Sequence, residues 1–241
     1  MDAPPDAAER AFARAVEDLY AAFADVPRPA DLPGCPCCVL PDEGRPLLRR
    51  PLRDLEPDDL YLYAAKALNT WAGPEEFRYF APRLLDLSAD DAFLFPDPEI
   101  VFGKLAQAGW HDWPQRDAIT AFLDAYWTRA LAGPLTVETP LAAVVVTGAD
   151  MAPYLDEWGR LETARSIGHL HDFATRELMW RRGRPRLRNA FLDASTGSYR
   201  QVVDWLTGGP AAAVVGAAFA RTDDEAALRL LAEIDSLISP G

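Results

Sequence analysis

All three cysteines of this 241-residue chain fall within four positions, Cys35-Pro36-Cys37-Cys38, after Pro33-Gly34 and before Pro41. Cysteines scattered through a core pack as small hydrophobes, whereas cysteines gathered in a turn point to chemistry. Cys35 and Cys38 stand in C-x-x-C spacing, which lets one tight turn aim two thiolates at a metal ion or close them into a small disulfide. Zinc is the cofactor the pattern predicts, and a tetrahedral zinc needs two ligands beyond that pair. The candidates are Cys37, His111, His169, His171, a carboxylate, or a second copy of the motif across a homodimer. Within one helix His169 and His171 point about 200° apart, so only one of them readily faces the same ion. The plain alternative is a Pro-Cys turn with inert or merely exposed thiols.

A thioredoxin-like reading lacks its physical basis. That chemistry lowers a thiol pKa by placing the first cysteine at a helix N-terminus beside a βαβ pattern. Val39-Leu40-Pro41 does not start such a helix, and no βαβ pattern is visible. Vicinal Cys37-Cys38 would suit copper(I) or an arsenical, but no methionine cluster accompanies them. His111-Asp112 and His171-Asp172 are adjacent pairs, and neighbouring residues seldom converge on one atom. The chain has no G-x-S-x-G, H-E-x-x-H, phosphate loop or G-x-G-x-x-G, so the common hydrolase, metalloprotease, nucleotide and dinucleotide readings lack their minimum parts. No catalytic residue is assigned.

One local reversal of charge stands in an acidic chain. Arg176, Arg181, Arg182, Arg184, Arg186 and Arg188 lie within thirteen residues. They read either as an anion or acidic-partner site or as a solvated helix end and loop, and the second reading is the expectation. The formal charge of −13 opposes nucleic-acid binding, which rests on Lys and Arg displacing counterions from phosphate. Lys occurs only at Lys66 and Lys104, so nearly all positive charge is arginine.

The elements that must position these residues are helical. Phe12, Val16, Leu19, Tyr20 and Phe23 share one face, as do Leu60, Tyr63, Ala64, Ala67, Leu68 and Trp71. Ile119, Phe122, Leu123, Tyr126 and Trp127 repeat the pattern, and Leu230, Leu231, Ile234, Leu237 and Ile238 close it. Glu56-Pro57-Asp58-Asp59, Gly73-Pro74-Glu75-Glu76 and Asp97-Pro98-Glu99 place proline near the first helical position with carboxylates at the positive end of the dipole. Ala142–Thr147 is the one run ambiguous with a strand, and a helix fits its neighbours better. Trp71, Trp127, Trp158 and Trp205 read as inter-helix core.

The fold class expected is therefore all-α: a helix over 6–24, a Pro/Cys-rich loop over 25–55, and helical hairpins over 56–238, as a single domain spanning 1–241. Hairpin starts near Pro57, Pro98 and Pro140 repeat at about 40 residues, which suits HEAT-like, solenoid-like stacking or an irregular bundle. The loop is longer than compact domains usually hold without a purpose, so it either straps the helical body or is organised by a metal. At 49% hydrophobic the chain can bury a sizeable core. Its start lacks the basic and apolar runs of a signal peptide, and its apolar stretches are too short for a membrane span, so a cytoplasmic, membrane-free setting is expected. There thiols stay reduced, which favours metal or transient redox chemistry over a resting disulfide.

Several segments together resemble a family of uncharacterised bacterial proteins. They are Gly34-Cys35-Pro36-Cys37-Cys38, Thr70-Trp71, Phe77–Leu85, Phe102-Gly103-Lys104-Leu105, Ala108-Gly109-Trp110 and Trp113-Pro114, then Pro153–Trp158, Asn189-Ala190-Phe191 and Val202–Leu206. The resemblance spans roughly residues 30 to 206 and implies no established activity. Its motif often has histidine at the position of Cys37, giving Cys-Pro-His-Cys, so the resemblance implies Cys35 and Cys38 as the shared pair and puts any essential role of Cys37 aside. The functional expectation is a non-catalytic, protein-interaction or scaffold protein with a zinc knuckle, acting on a protein partner. The alternatives are an acidic immunity-like inhibitor of a basic protein, and a thiol redox sensor or enzyme.

Overall fold

The computed structural model of the chain describes residues 5–40 and 42–239. Its elements in order are α1 (Pro5–Ala22), α2 (Arg45–Arg49), α3 (Pro57–Lys66), α4 (Pro74–Ala89), α5 (Pro98–Ala108), α6 (Arg116–Ala132), α7 (Glu138–Val146), α8 (Ala152–Trp158), α9 (Ala164–Arg176), β1 (Leu178–Arg181), β2 (Arg184–Leu187), α10 (Gly197–Thr207), α11 (Pro210–Phe219) and α12 (Glu225–Ile238). The protein is predominantly helical. The ambiguous run after Pro140 is helix α7, as its neighbours required. Helices begin at Pro57, Pro74 and Pro98, where proline costs no hydrogen bond and presets φ. The Asp59 carboxylate accepts from the Glu56 N–H at 2.8 Å, and Glu76 from the Gly73 N–H at 2.8 Å, each satisfying a donor at a helix start.

The chain divides into two compact units, one of Ala11–Leu123 and one of Met1–Arg10 with Asp124–Gly241, the boundaries falling within α1 and α6. In the first, the Tyr63 and Phe80 rings meet at a tilt with centroids 4.7 Å apart, and Phe122 lies 5.5 Å from Phe12 and 6.3 Å from Phe102. Leu55, Leu60, Phe80, Val101, Leu105 and Ile119 are fully buried around them. The second unit centres on Trp158, whose ring lies 5.6 Å from Trp127, 5.2 Å from Phe173 and 5.7 Å from a nearly parallel Trp205. The four tryptophans assigned to the core are buried. In this unit α9 packs on α12, and α11 packs on both α10 and α12.

Two expectations change in detail. The 25–55 segment contains a short helix, α2, and a 3-10 turn at Leu52–Asp54, both brief because Pro46 and Pro51 bound them. Pro41, one of the breakers counted there, lies outside the described residues. The arginine-rich segment is not a helix end running into a loop. It is an antiparallel hairpin pairing Leu178 with Leu187 and Arg181 with Arg184. Arg182 and Gly183 turn it with φ of 53° and 73°, the left-handed pair a two-residue hairpin needs. No single helix among the described residues is long and apolar enough to cross a membrane.

Candidate metal centre

The cysteine turn is built before any side chain acts. Cys38 and Val39 both donate their N–H to the Cys35 carbonyl at 2.9 Å, which closes residues 35–39 into a tight turn rather than the start of a helix. The turn is docked by an isolated antiparallel bridge between Gly34 and Trp71. Cys35 N–H donates to Thr70 O at 2.8 Å and Ala72 N–H to Pro33 O at 2.6 Å. Gly34 has a steric reason. A Cβ there would lie 2.7 Å from Val39 Cβ, because the turn folds the buried, branched side chain back over it. We expect Gly34→Ala to force Val39 outward, costing about 1–3 kcal/mol and weakening metal affinity while helix content stays unchanged, as read by thermal melts and metal titration.

The platform beneath is the turn from Ala67 to Ala72, and it is strained. Leu68 and Ala72 hold φ of 66° and 59°, a region in which a side chain costs about 1 kcal/mol or more. Of the two lysines, one braces the cysteine turn and the other this platform. Lys66 Nζ donates to Cys38 O at 2.8 Å, with Glu43 3.8 Å away. Lys104, 1% exposed, donates from α5 to Ala67 O at 2.7 Å. A compact ammonium on a flexible stem can reach one carbonyl in a confined place, where the planar arginine fork would leave donors stranded. Burial lowers the Lys104 pKa to about 8. Trp71 lies buried edge-on to Tyr63, with ring centroids 5.4 Å apart.

The three sulfurs converge. Cys35 Sγ lies 2.8 Å from Cys37 Sγ, which lies 3.5 Å from Cys38 Sγ, and all three lie within 4.8 Å of one another. Zinc–sulfur bonds of about 2.3 Å set a tetrahedral edge of about 3.8 Å, so the three can form one face of a zinc tetrahedron after the closest pair parts by about 1 Å. Cys35 is half-buried, and Cys37 and Cys38 are exposed. Hydrogen bonds from Cys37, then from Cys38, hold the Cys35 thiol below its usual pKa. The same sharing pushes Cys37 up to about 11. Cys35 therefore gives up its proton before Cys37 does.

Cys37, expected as an optional ligand, joins Cys35 and Cys38, and no histidine or carboxylate among the described residues completes the group. His111 sits on the 3-10 turn Trp110–Asp112 with its ring against Trp110 at 4.2 Å. His169 and His171 belong to α9 in the other compact unit. His169 is buried, and His171 Nε2 meets Glu233 at 2.7 Å. The sequence reading passed over the two lysines as braces, although their rarity among arginines was the available signal. Comparison of the chain with protein-family models, with curated proteins and with solved structures finds no match.

Proposed function

We propose that Cys35, Cys37 and Cys38 form a thiolate metal site, filled by zinc, that fixes the proline-rich segment to the helical unit. The observation that carries this reading is the convergence of three sulfurs on a turn held at both ends by main-chain hydrogen bonds and by Lys66. Three thiolates are soft ligands suited to zinc or copper(I), and the fourth position on zinc is taken by water or by a residue of a second copy. A reducing cytoplasm would keep the thiols available for metal. Metal analysis of tag-free protein purified without chelator is the test. About one zinc per chain is expected, half of one would place the site between two copies, and none would sink the reading.

A redox reading has one observation in its favour, the 2.8 Å approach of Cys35 and Cys37 sulfurs with Cys35 as the more acidic thiol. It expects an alkylating agent near neutral pH to label Cys35 well before Cys37. Equal labelling of the two would remove its support.

Around the site, the protein acts through contacts with another protein rather than through catalysis. Tyr61, Leu94 and Phe95 support this, since all three are exposed around one cavity of about 480 Å³ on the first unit, and clustered exposed apolar side chains mark interaction surfaces. The pairing of α9 with α12, three helices later in the chain, favours an irregular bundle over HEAT-like stacking, in which each hairpin meets only its neighbours. A complex that reforms from purified components tests the contact reading.

A further inference from the structure

The β1–β2 hairpin separates its residues by chemistry. Leu178, Trp180, Pro185 and Leu187 share one face, and Met179, Arg181, Arg184 and Arg186 share the other. Leu178 and Leu187 are buried, and Trp180 donates from Nε1 to Leu237 O at 2.9 Å, so the apolar face is committed to the protein. The arginines on the opposite face are exposed, with Arg182 at the tip and Arg188 just beyond β2. Among the described residues, Arg181, Arg182, Arg184, Arg186 and Arg188 make no side-chain hydrogen bond or ion pair.

That is unusual in a chain with 37 acidic residues against 24 basic ones. Other arginines find carboxylates: Arg53 meets Glu17 at 2.8 Å, Arg83 meets Asp86 at 2.9 Å, and Arg176, just before the hairpin, lies 3.6 Å from Glu138. The one acid next to the hairpin, Glu177, is engaged by the Asn189 N–H at 2.8 Å. Five guanidinium groups are thus held together on a short ribbon, with no ion pair to a carboxylate among the described residues. A paired backbone presents them, which reduces the ordering cost of meeting a ligand.

We propose that this outward face of the hairpin binds an acidic, extended segment of a partner protein; the proposal deepens the protein-contact reading and rests on it. Arg184 and Arg186 lie two residues apart on one strand, a repeat of about 6.7 Å. Alternate carboxylates on an extended peptide repeat at the same distance, so successive arginines can each grip a carboxylate with both arms of the fork. Recognition goes through the face and not through strand addition to β2. On that outer edge Pro185 has no N–H to offer, and the Leu187 N–H already donates to Tyr199 Oη at 3.1 Å. A nucleic acid suits the site less well. Such binding commonly draws on 6–10 phosphate contacts, and a polymer running past this short ribbon meets a chain that is otherwise strongly acidic.

The test uses fluorescence anisotropy with a short labelled peptide of alternating Glu and Ser, its Gln-Ser counterpart, and single-stranded and duplex DNA. The proteins are the 241-residue chain, an Arg184→Glu, Arg186→Glu variant, and Arg14→Glu as a control at an exposed arginine on α1, each checked by circular dichroism. The Glu-Ser peptide is expected to bind wild type and the Arg14→Glu control alike, to weaken with salt, and to lose roughly tenfold or more in affinity on the double reversal. The Gln-Ser peptide is expected not to bind. Glu-Ser binding that survives the double reversal, an absence of binding to wild type, or tighter binding of DNA than of peptide would each overturn the proposal. The wider contact reading fails separately, if no complex reforms from purified components.

Discussion

Replacing Cys35 and Cys38 together by serine is expected to reduce bound zinc from about one per chain to less than about a tenth. Serine keeps the size and removes the soft thiolate, so the turn's backbone bonds to Thr70 and Ala72 can persist while its metal affinity does not. Structural zinc contributes about 10–16 kcal/mol in small domains that have little else to fold around. Here the strap is already anchored by buried Leu32, Val39, Leu47 and Leu55 and by Lys66, so much less of that energy appears as global stability. The expected result is a lower melting temperature with unchanged far-UV circular dichroism, and faster proteolysis between Val26 and Leu55. Cys37→Ser alone should keep the zinc stoichiometry but weaken affinity, because the third sulfur is lost and water can replace it. Affinity should also rise with pH. The metal must displace the proton that Cys37 holds up to about 11, so protons are released on binding. Wild-type protein with no metal, and a double variant with an unchanged melt, would leave the turn as a folded loop without an ion.

How much of this was legible in the chain follows from the range over which each signal acts. Helix starts at Pro57, Pro74 and Pro98 are local, since a proline and the following carboxylates satisfy or avoid the first N–H groups of their own helix. The cysteine turn was local too, because three sulfurs within four residues converge whatever the rest of the chain does. The platform was not. That Thr70 and Ala72 receive the turn, and that Lys104 supports Ala67 from a helix 37 residues later, depends on tertiary packing. The hairpin was missed for a different reason. Only β2, Arg-Pro-Arg-Leu, alternates charged and apolar residues, while β1, Leu-Met-Trp-Arg, does not, so four residues per strand carry too little period-two signal beside the run of charge. Arg182-Gly183 does not advertise a left-handed turn as Asn-Gly would, because arginine takes positive φ only when the flanking ladder insists. The histidines show the limit of ligand counting from sequence, since His169 is buried in α9's own unit and His171 meets Glu233 there.

The buried Lys104 makes the stability of the protein depend on pH with a predictable sign. Its ammonium has one carbonyl acceptor, Ala67 O, and burial alone lowers its pKa from 10.5 to about 8 in the folded protein. Below pH 8 folded and unfolded chains both hold the proton, and the folded state carries the full cost of a buried charge. Between pH 8 and 10.5 the folded chain releases the proton while the unfolded chain keeps it. The unfolded state then binds more protons, so stability rises with pH through this window and levels off above it. At about 1.4 kcal/mol per pH unit the gain is about 3 kcal/mol. Tyr20, Tyr63 and Tyr154 act in the opposite direction at the alkaline end, since burial holds their hydroxyls protonated in the folded state. The comparison must therefore be with Lys104→Met, which keeps the apolar stem and removes the titrating group, so that the tyrosine contributions cancel. At neutral pH the variant escapes the burial cost but loses a hydrogen bond worth about 1 kcal/mol, and it should be the more stable protein. Near pH 10.5 wild type should have overtaken it, because the neutral amine still donates to Ala67. Urea denaturation of both proteins across this range measures the crossing. A stability difference that stays constant with pH would mean that Lys104 does not titrate in the window and that its role is confined to holding the Ala67–Ala72 turn.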